Sequence, residues 1–375
     1  KENGVRIHTG VDYLEATQQY DTILKAPGIP GFKLQITNNQ TLSSQTDLFL
    51  MAYHSQTIGI TGTKGKSTTS SLIFHLLKES GTKCILTGNI GIPCFDSIPQ
   101  IEDESIIVFE LSANQLENVR HSPHIAVLLN IFEEHLDHFG TFEAYEKAKT
   151  MIFKYSGSDD TIIIHESLNE LLNQSQAKVK LFPQENLVLE VESKLPGQHN
   201  QLNIQAALHA CIAIGKNMNE LNSSIATFKG LSHRLEFIGN AKGINFYNDS
   251  IATIPEATIA ALETLKKVDF LILGGFDRGI QYEKLITYLN QHPVKIVLYT
   301  GKAGARIASE LKLLQTHMQL FSFQSMEEAF DIIQKKAFAG ATCLLSPAAA
   351  SYDQYKNFEH RGETFKNLVN KLIES

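Results

Sequence analysis

A glycine-rich turn between an apolar run and a helical stretch limits most strongly what this chain can fold into. The run Thr57–Thr61 is followed by Gly62-Thr-Lys-Gly-Lys-Ser-Thr68, and apolar residues then recur at helical spacing from Leu72 to Leu77. Such a strand–turn–helix unit is typical of phosphate-binding α/β domains. The turn departs from the common G-x-x-x-x-G-K-[ST] spacing, because Ile60 stands where the first glycine is expected.

The residue types in this turn suit the binding of a nucleotide. Glycines allow backbone N–H groups to surround phosphate oxygens, and the N-terminus of the following helix adds a favourable potential. Lys66 is placed to reach the β- and γ-phosphates, and the Ser67 hydroxyl is placed to bind Mg²⁺. The alternative is a glycine-rich strand-to-helix turn that binds no ligand.

Most of the remaining chain alternates short apolar runs with amphipathic stretches, the pattern of α/β domains with mainly parallel sheets. Residues 1–50 contain two short strand-like runs, at 22–24 and 33–36. This segment is too short to bury a core alone, which indicates part of a domain or a docked extension. A central domain over residues 51–231 and a third domain over residues 232–375 are predicted to follow.

Local patterns predict individual elements within these domains. An amphipathic helix is predicted over residues 142–153, and short strands with one helix over residues 161–191. A turn over residues 195–200 leads into an alanine-rich helix that is predicted to end near Lys216. Strand-like runs on either side of Lys242-Gly243 predict a hairpin.

Charge and cysteine content exclude several classes of protein. The chain has 33 Lys and Arg against 40 Asp and Glu, and this net charge of -7 argues against broad, sequence-independent nucleic-acid binding. The 4 cysteines form no CxxC pair, which excludes a disulfide scaffold or zinc ribbon and predicts a reducing cytoplasm. No apolar run approaches the ~20 residues of a membrane helix. The start at Lys1 lacks a methionine and a signal-peptide pattern, so a longer natural chain is expected.

Polar side chains follow two further apolar runs of the central domain. Glu110 follows one run, and Asn130 and the sequence Glu133-Glu134-His135 follow the next. Open α/β sheets bind ligands at the carboxyl ends of their strands. A carboxylate and an imidazole beside a phosphate loop are therefore candidate Mg²⁺ ligands. For His135, a surface or capping role is the alternative.

Lys149 is the most unusual residue of the predicted 142–153 helix. Helical spacing places it on the apolar face, together with Tyr145 and Ile152. A buried ammonium is costly, so its pKa is expected to fall. The free amine would be a nucleophile, and its reaction with CO₂ would give an anionic carbamate able to bind a cation. The alternative is a lysine whose ammonium reaches the rim of the apolar surface.

The third domain also collects polar or glycine residues at predicted strand ends. They are the sequences Asn248-Asp249-Ser250, Gly274-Gly275 and Ser346-Pro347. This arrangement predicts a second ligand-binding α/β unit without a phosphate loop of its own.

Several motifs in a fixed order resemble the Mur ligase family over nearly everything after Ile58. In chain order they are Gly62-Thr-Lys-Gly-Lys-Ser-Thr68, Gly88-Asn-Ile-Gly91, Glu110-Leu-Ser-Ala-Asn-Gln-Leu-Glu117, Glu134-His-Leu-Asp137, Tyr145-Glu-Lys-Ala-Lys149, Gly197-Gln-His-Asn200 with Asn203, His233-Arg-Leu-Glu236, Asn248-Asp-Ser250 and the tail from Leu345 to Gly362. The tail, which begins Leu-Ser-Pro-Ala-Ala-Ala-Ser, resembles the member that adds D-glutamate.

The resemblance implies a UDP-binding N-terminal domain, here truncated so that its uracil-binding half is missing, a central P-loop-type ATPase domain and a Rossmann-like C-terminal domain. It implies ATP-dependent addition of D-glutamate to UDP-N-acetylmuramoyl-L-alanine through an acyl phosphate, in peptidoglycan precursor synthesis. A monomeric, cytoplasmic enzyme that uses ATP and two Mg²⁺ ions is expected. The alternatives are another Mur or folylpolyglutamate-type ligase, or a non-catalytic nucleotide-binding relative.

The resemblance also implies roles for single residues. The implied catalytic residues are Lys66, Glu110, His135 and Lys149. The implied metal ligands are Ser67, Glu110, His135 and a carbamylated Lys149. The implied ATP contacts are Gly62, Thr63, Lys64, Gly65, Lys66, Ser67, Thr68, Asn203, Arg234 and Asp249. The implied contacts to the other substrates are Asn89, Ser112, Gln115, Thr253, Arg278, Ser351, Tyr352 and Phe358. Departures from the family pattern occur at Lys64, Phe132, Glu134, Ile251 and Arg278.

Overall fold

The computed structural model describes residues 6–172, 175–184, 195, 197–228, 230–314 and 317–374. The chain divides into two compact units, Lys1–Lys229 and Gly230–Ser375. The predicted three domains, with boundaries after residues 50 and 231, stay a prediction. Within the described residues, no helix has both the length and the apolar character needed to cross a membrane.

The first unit is built on a six-stranded sheet, preceded by a two-stranded parallel ribbon of β1 (Thr22–Leu24) and β2 (Thr41–Ser43). The sheet strands are β3 (Thr57–Thr61), β4 (Cys84–Gly88), β5 (Ile106–Glu110), β6 (Ile125–Leu128), β7 (Thr161–His165) and β8 (Lys178–Phe182). Their spatial order is β4-β5-β3-β6-β7-β8, and every pairing is parallel. The strand that leads into the phosphate loop therefore lies between β5 and β6.

Helices cover both faces of this sheet. They are α1 (Gln45–Tyr53), α2 (Lys66–Glu79), α3 (Cys94–Ser97), α4 (Ala113–Leu116), α5 (Leu136–Phe139), α6 (Phe142–Thr150), α7 (Gln198–Ala213) and α8 (Met218–Thr227). Val108 of β5 packs into a core with α2, α7 and α8, whereas Ile107 and Phe109 pack into a second core with α1, α4 and α6. Burial on both faces explains why the central strands β3, β5, β6 and β7 are mostly apolar, whereas the edge strand β8 is largely exposed and carries two lysines.

The second unit, from Gly230 onward, is a six-stranded sheet with helices on both faces. Its strands are β9 (Glu236–Ala241), β10 (Ile244–Asn248), β11 (Phe270–Gly274), β12 (Ile296–Thr300), β13 (Gln319–Ser322) and β14 (Ala341–Leu345). Its helices are α9 (Pro255–Leu265), α10 (Glu283–Gln291), α11 (Gly301–Leu313), α12 (Met326–Lys336) and α13 (Phe358–Glu374). The order is β13-β12-β11-β14-β10-β9, and only β9 runs antiparallel. The prediction of mainly parallel α/β sheets is confirmed.

The predicted strand at residues 33–36 is wrong. A 3-10 helix occupies Gly31–Lys33, and the Leu34 N–H donates to the Gly31 carbonyl rather than to a neighbouring strand. The partner of β1 is instead β2, whose Thr41 N–H donates to the Asp21 carbonyl. The run at 33–36 has the composition of a strand. Its first two N–H groups, those of Lys33 and Leu34, instead donate to carbonyls of the turn that begins at Pro30.

Other local predictions were close to the structure. The hairpin around Lys242 and Gly243 is confirmed by the pairing of β9 with β10. Helix α6 begins at Phe142 as predicted but ends at Thr150, and α7 ends at Ala213 rather than near Lys216. In the predicted 161–191 segment, β7, a 3-10 helix at Glu166–Leu172 and β8 are present, and residues 185–191 lie outside the described residues.

Candidate active site

The glycine-rich turn joins β3 to α2 at the carboxyl edge of the first sheet. Helix α2 begins at Lys66, and the residue before it, Gly65, has a left-handed φ of 85°. A Cβ at Gly65 would also overlap the side-chain oxygen of Asn203 on α7. Only glycine fits this position. The structure thus brings Asn203, a predicted ATP contact, against the predicted phosphate loop.

The end of β6 holds the turn in place through Asn130. Its carbonyl accepts from the Thr63 N–H at 2.9 Å, and its Oδ1 accepts from the Lys64 N–H at 2.9 Å. Its Nδ2 donates to the Lys64 carbonyl at 3.1 Å. Neighbouring strands β3 and β6 therefore fix the shape of the loop. Asn130 was predicted to follow a strand, but its role in shaping the loop was not predicted.

Lys149 is buried beneath the loop, with only 1% of its surface exposed. Its Nζ donates to the Gly62 carbonyl at 2.7 Å and lies 4.8 Å from the centre of the Tyr145 ring. Burial, followed by the nearby charge of Lys66, lowers the pKa of Lys149 to about 7. The alternative of an ammonium at the rim of the apolar surface is wrong, because the amine lies inside the site.

Lys66 reaches the same carbonyl as Lys149. Its Nζ donates to the Gly62 carbonyl at 2.9 Å and to the Thr63 carbonyl at 3.0 Å. Two amines, one from Lys66 at the start of α2 and one from Lys149 on α6, therefore meet at the phosphate loop. Such a concentration of donors suits an anion with several oxygens, such as a polyphosphate.

Glu110 ends β5 beside the loop and is fully buried. Its Oε1 accepts from Asn89 Nδ2 at 3.0 Å, whereas Oε2 has no hydrogen-bond partner among the described residues. An unpartnered carboxylate oxygen inside a protein is costly. The residues present therefore fit a bound cation at this position, and the assignment of Glu110 as a metal ligand stays a prediction.

Ser112 and Gln115, two predicted substrate contacts, form the first turn of α4 directly after Glu110. The Ser112 hydroxyl accepts from the Gln115 N–H at 3.3 Å, and the Gln115 Oε1 accepts from the Ser112 N–H at 2.8 Å. This capping box fixes both side chains at the carboxyl edge of the sheet.

His135 lies on the opposite side of the loop in a left-handed conformation with φ 59°. That conformation is uncommon outside glycine, although histidine tolerates it better than most residues. Its side chain is 55% exposed, and its Nε2 lies 3.9 Å from Glu134 Oε2. Glu134 also pairs with Lys64, with 2.6 Å between Oε1 and Nζ. The departures at Lys64 and Glu134 thus form one ion pair, which was not predicted.

Tyr145 joins these groups and was not predicted to be part of the site. Its hydroxyl is 3.0 Å from Thr63 Oγ1, and its ring centre is 6.0 Å from that of His135. Its position four residues before Lys149 on α6 is the sequence signal that could have identified it.

In the second unit, five of the predicted substrate contacts lie around one cavity of about 170 Å³. Its lining residues are Ile251, Thr253, Arg278, Ala350, Ser351, Tyr352 and Phe358. The Arg278 side chain is exposed and donates through Nη2 to the Thr253 carbonyl at 2.8 Å. An exposed guanidinium at the mouth of a small cavity suits a ligand carboxylate.

Asp249 and Arg234, two predicted ATP contacts, also lie in the second unit. Asp249 is buried; its Oδ1 accepts from the Leu235 N–H at 3.0 Å and its Oδ2 from Ser346 Oγ at 2.8 Å. Burial raises the pKa of Asp249 to about 7, despite these hydrogen bonds. Arg234 is exposed.

Arg361 at the start of α13 holds the loops that line this cavity. It is buried, donating to Ser250 Oγ at 3.0 Å, to the Ser250 carbonyl at 2.8 Å and to the Ala349 carbonyl at 3.1 Å. Burial lowers the pKa of Arg361 to about 10. It lies within the tail that carried the family resemblance, but was not singled out from it.

Two family models match the chain. The Mur ligase middle domain matches residues 60–182, and the Mur ligase glutamate ligase domain matches residues 233–349. Together the two models cover more than half of the sequence.

Curated relatives match along almost the whole chain. A UDP-N-acetylmuramoylalanine–D-glutamate ligase of Clostridium botulinum (strain Langeland) is 33% identical over 404 residues, covering 99% of this chain and 87% of the relative. A protein of the same name from Symbiobacterium thermophilum is 33% identical over 401 residues, covering 98% and 88%.

Solved structures share the fold at lower identity. MurF ligase from Thermotoga maritima in complex with ADP has a TM-score of 0.62 at 20% identity and covers 90% of this chain and 88% of its own. MurC from the same organism has a TM-score of 0.62 at 17% identity, covering 95% and 87%. Escherichia coli FolC in complex with DHPP and ADP has a TM-score of 0.61 at 16% identity, covering 87% and 92%.

Proposed function

The chain belongs to the Mur ligase family, and we propose that it joins D-glutamate to UDP-N-acetylmuramoyl-L-alanine, with conversion of ATP to ADP and phosphate. The observation that carries this proposal is the 33% identity, along 99% of the chain, to a relative named for that reaction. The reaction belongs to peptidoglycan precursor synthesis. All four cysteines are free, which supports the proposed cytoplasmic location. The monomeric state stays a prediction.

The proposed reaction forms an amide in two steps. An oxygen of the alanyl carboxylate attacks the γ-phosphorus of ATP, and ADP leaves. The D-glutamate amine then attacks the acyl carbon, loses a proton, and phosphate leaves with the electrons of the broken C–O bond. The protein has mainly to position the reactants and to neutralise charge.

The phosphate loop supplies positive charge where the γ-phosphate is transferred. Lys66, at the start of α2, would leave the Gly62 and Thr63 carbonyls to contact the β- and γ-phosphates. Gly65 allows the backbone N–H groups of the turn to face the same oxygens. Asn203, whose side chain packs on Gly65, is proposed to contact the nucleotide. Arg234 and Asp249 are proposed ATP contacts of the second unit.

Two Mg²⁺ ions are part of the proposal, and they would neutralise charge on the phosphates. Ser67 and Glu110 would hold one ion, and the unpartnered Oε2 of Glu110 supports this assignment. His135 and a carbamylated Lys149 would hold the second. Asn89, which donates to Glu110 Oε1, would then fix the carboxylate and contact the muramoyl substrate together with Ser112 and Gln115.

The geometry of Lys149 supports its carbamylation. With a pKa near 7, a large share of this amine is uncharged and nucleophilic at neutral pH. Its nitrogen would bond to the carbon of CO₂ and release a proton. The resulting carbamate replaces a buried cation by an anion close to Lys66, which relieves the repulsion between the two amines.

The cavity of the second unit is the proposed D-glutamate site. Arg278 would bind one carboxylate of the amino acid through two parallel hydrogen bonds. Thr253, Ser351, Tyr352 and Phe358 line the same cavity. Its volume of about 170 Å³ is of the order that a single amino acid requires.

An assay of amide formation tests the proposed function. The full chain is incubated with ATP, Mg²⁺, UDP-N-acetylmuramoyl-L-alanine and, in parallel, D-glutamate, L-glutamate, D-alanine or diaminopimelate. Phosphate release and product mass are measured. We expect product with D-glutamate alone, and loss of at least a thousandfold in rate in Lys66→Ala. Lys78→Ala, at an exposed position of the same helix α2, is the matched control.

The outcomes separate the alternatives. Product with a different amino acid would make the chain another member of the family, and nucleotide binding without any turnover would make it a non-catalytic relative. Arg278→Ala should raise the KM for D-glutamate about tenfold or more and leave that for ATP unchanged. Equal effects on both would place Arg278 outside the amino-acid site.

A further inference from the structure

A second group of metal-ligating side chains lies at the amino edge of the first sheet, away from the phosphate loop. His54 belongs to the 3-10 helix that precedes β3, His124 directly precedes β6, and Asp160 directly precedes β7. Ligand atoms of these three residues lie within 4.8 Å of one another. Because the strands are parallel and the loop follows the carboxyl end of β3, this cluster occupies the opposite edge of the same sheet.

The three side chains converge on one carboxylate oxygen. Asp160 Oδ1 lies 3.1 Å from His54 Nε2 and 3.0 Å from His124 Nδ1. Asp160 is 4% exposed, whereas both imidazoles are partly accessible. A tetrahedral zinc ion with bonds of about 2.0–2.1 Å requires ligand atoms roughly 3.3 Å apart. The two distances from Asp160 Oδ1 are close to this value, and the imidazole nitrogens, within 4.8 Å of each other, would have to approach to it.

The hydrogen bonds around His54 fix which of its nitrogens is free to bind a cation. Nδ1 lies 2.7 Å from the Ser122 carbonyl, which can only accept, so Nδ1 carries the hydrogen. In the neutral ring, Nε2 then presents a lone pair toward Asp160 Oδ1, which is also an acceptor. Two acceptors at 3.1 Å repel unless a hydrogen or a cation lies between them.

Two hydrogen bonds around the cluster match those that commonly support metal ligands. Histidine ligands in proteins commonly donate their second N–H to a backbone carbonyl, as His54 does to Ser122. Ligating carboxylates are themselves hydrogen-bonded, and Asp160 Oδ2 accepts from the Gly157 N–H at 2.8 Å. His124, whose side chain is 35% exposed, would bind through Nδ1 and carry its hydrogen on Nε2.

We propose that His54, His124 and Asp160 form a binding site for a divalent transition metal of the zinc type, which joins the starts of β3, β6 and β7. Two imidazoles and one carboxylate favour Zn²⁺ or Co²⁺ over Mg²⁺, which prefers six oxygen ligands. The site leaves a fourth position for water. It is separate from the amide-forming machinery and does not depend on the proposed function.

Equilibrium dialysis of the full chain against Zn²⁺, with Mg²⁺ in large excess to occupy oxygen sites, tests the proposal. We expect the wild type to bind one more equivalent of Zn²⁺ than either His54→Gln or His124→Gln. Each variant should lose at least tenfold in affinity at this site. Co²⁺ should give the wild type a visible absorption band of a nitrogen-ligated, four-coordinate ion that both variants lack.

His165→Gln is the matched control, because His165 lies at the other end of β7. It should bind Zn²⁺ as the wild type does. Without added zinc, all three variants should fold and form amide at the wild-type rate, as judged by circular dichroism and the ligation assay. Equal Zn²⁺ binding by wild type and both variants would overturn the proposal. A wild-type Co²⁺ spectrum of a six-coordinate, oxygen-ligated ion would also overturn it, whether or not the variants fold. In that case the three side chains would be joined by hydrogen bonds and not by a metal ion.

Discussion

At the scale of single residues, burial decides the chemistry of Lys149. Its amine lies inside the first unit, bonded to a loop carbonyl and close to a second lysine, so the charged form is disfavoured. An ordinary exposed lysine two positions away, Lys147, shares the same helix without this environment. The two residues therefore form a natural pair for comparison.

Lys149→Ala is expected to reduce ligation at least a hundredfold, because the second proposed Mg²⁺ would lose an anionic oxygen ligand. Added acetate or formate should restore part of the rate by entering the space of the missing carbamate. Lys147→Ala should behave as the wild type. Initial rates with and without the added carboxylate measure the effect. A fully active Lys149→Ala whose rate does not change with acetate would contradict the carbamylation of Lys149.

Asp249 gives the second unit a stability that falls as pH rises. Its pKa is raised from 3.8 to about 7 in the folded chain, so between these values the folded state binds more protons than the unfolded state. The contribution is complete below pH 4 and lost above pH 7. Asp249→Asn should therefore be less sensitive to pH than the wild type between pH 4 and pH 8, by roughly 1–4 kcal/mol in the free energy of unfolding.

Chemical denaturation of the full chain at several pH values measures this difference. Asp331→Asn, at an exposed position of α12, is the control and should follow the wild type. If Asp249→Asn and the wild type lose the same stability between pH 4 and pH 8, Asp249 ionises normally in the folded chain.

At the scale of elements, α13 is tied to two loops by Arg361. Its guanidinium reaches Ser250 after β10 and Ala349 after β14 at the same time. Arg361→Lys keeps the charge but cannot reproduce the three-way geometry. We expect a loss of about 2–4 kcal/mol in the free energy of unfolding.

Urea denaturation measures the Arg361 effect. Lys371→Ala, on an exposed position of the same helix, should change stability by less than about 0.5 kcal/mol. A similarly small change in Arg361→Lys would show that the buried hydrogen bonds are replaced by other contacts.

Elements with strong local patterns could be predicted from the sequence, and those set by tertiary contacts could not. The β3–loop–α2 unit follows from its apolar run, its glycines and its helical spacing. The run at 33–36 has the composition of a strand, yet its backbone donors are used by a turn. Spacing along α6 identified Lys149, because one helix face is visible in the sequence. The Lys64–Glu134 pair joins residues far apart in the chain, and no local pattern marks such a contact.

At the scale of the whole molecule, the second unit has a complete sheet and its own two cores. One core combines β10 and β14 with α12 and α13, and the other combines β11 and β12 with α9, α10 and α11. We expect a fragment of residues 230–375 to fold cooperatively on its own, because each face of its sheet is already covered.

Thermal unfolding followed by circular dichroism and the dispersion of amide resonances measure the folding of this fragment. A second fragment of residues 250–375 is the control; it lacks β9 and β10, so β14 loses a neighbour and α13 loses its packing surface. It should be unfolded or aggregated. If the longer fragment also gives no cooperative transition, the second unit depends on the rest of the chain.

The position of β3 has a consequence for the newly made chain. β3 is the first strand of its sheet to be synthesised, but its neighbours β5 and β6 come later, and Leu128 of β6 follows Thr61 by roughly 70 residues. At typical rates of synthesis the ribosome needs about 3 to 14 s to add them. Until β5 is complete at Glu110 both edges of β3 are unpaired, and the edge that faces β6 stays unpaired to the end of that interval. Exposed apolar surface and unpaired strand edges make a folding chain prone to aggregation, and we expect residues 57–61 to need chaperone contact during synthesis.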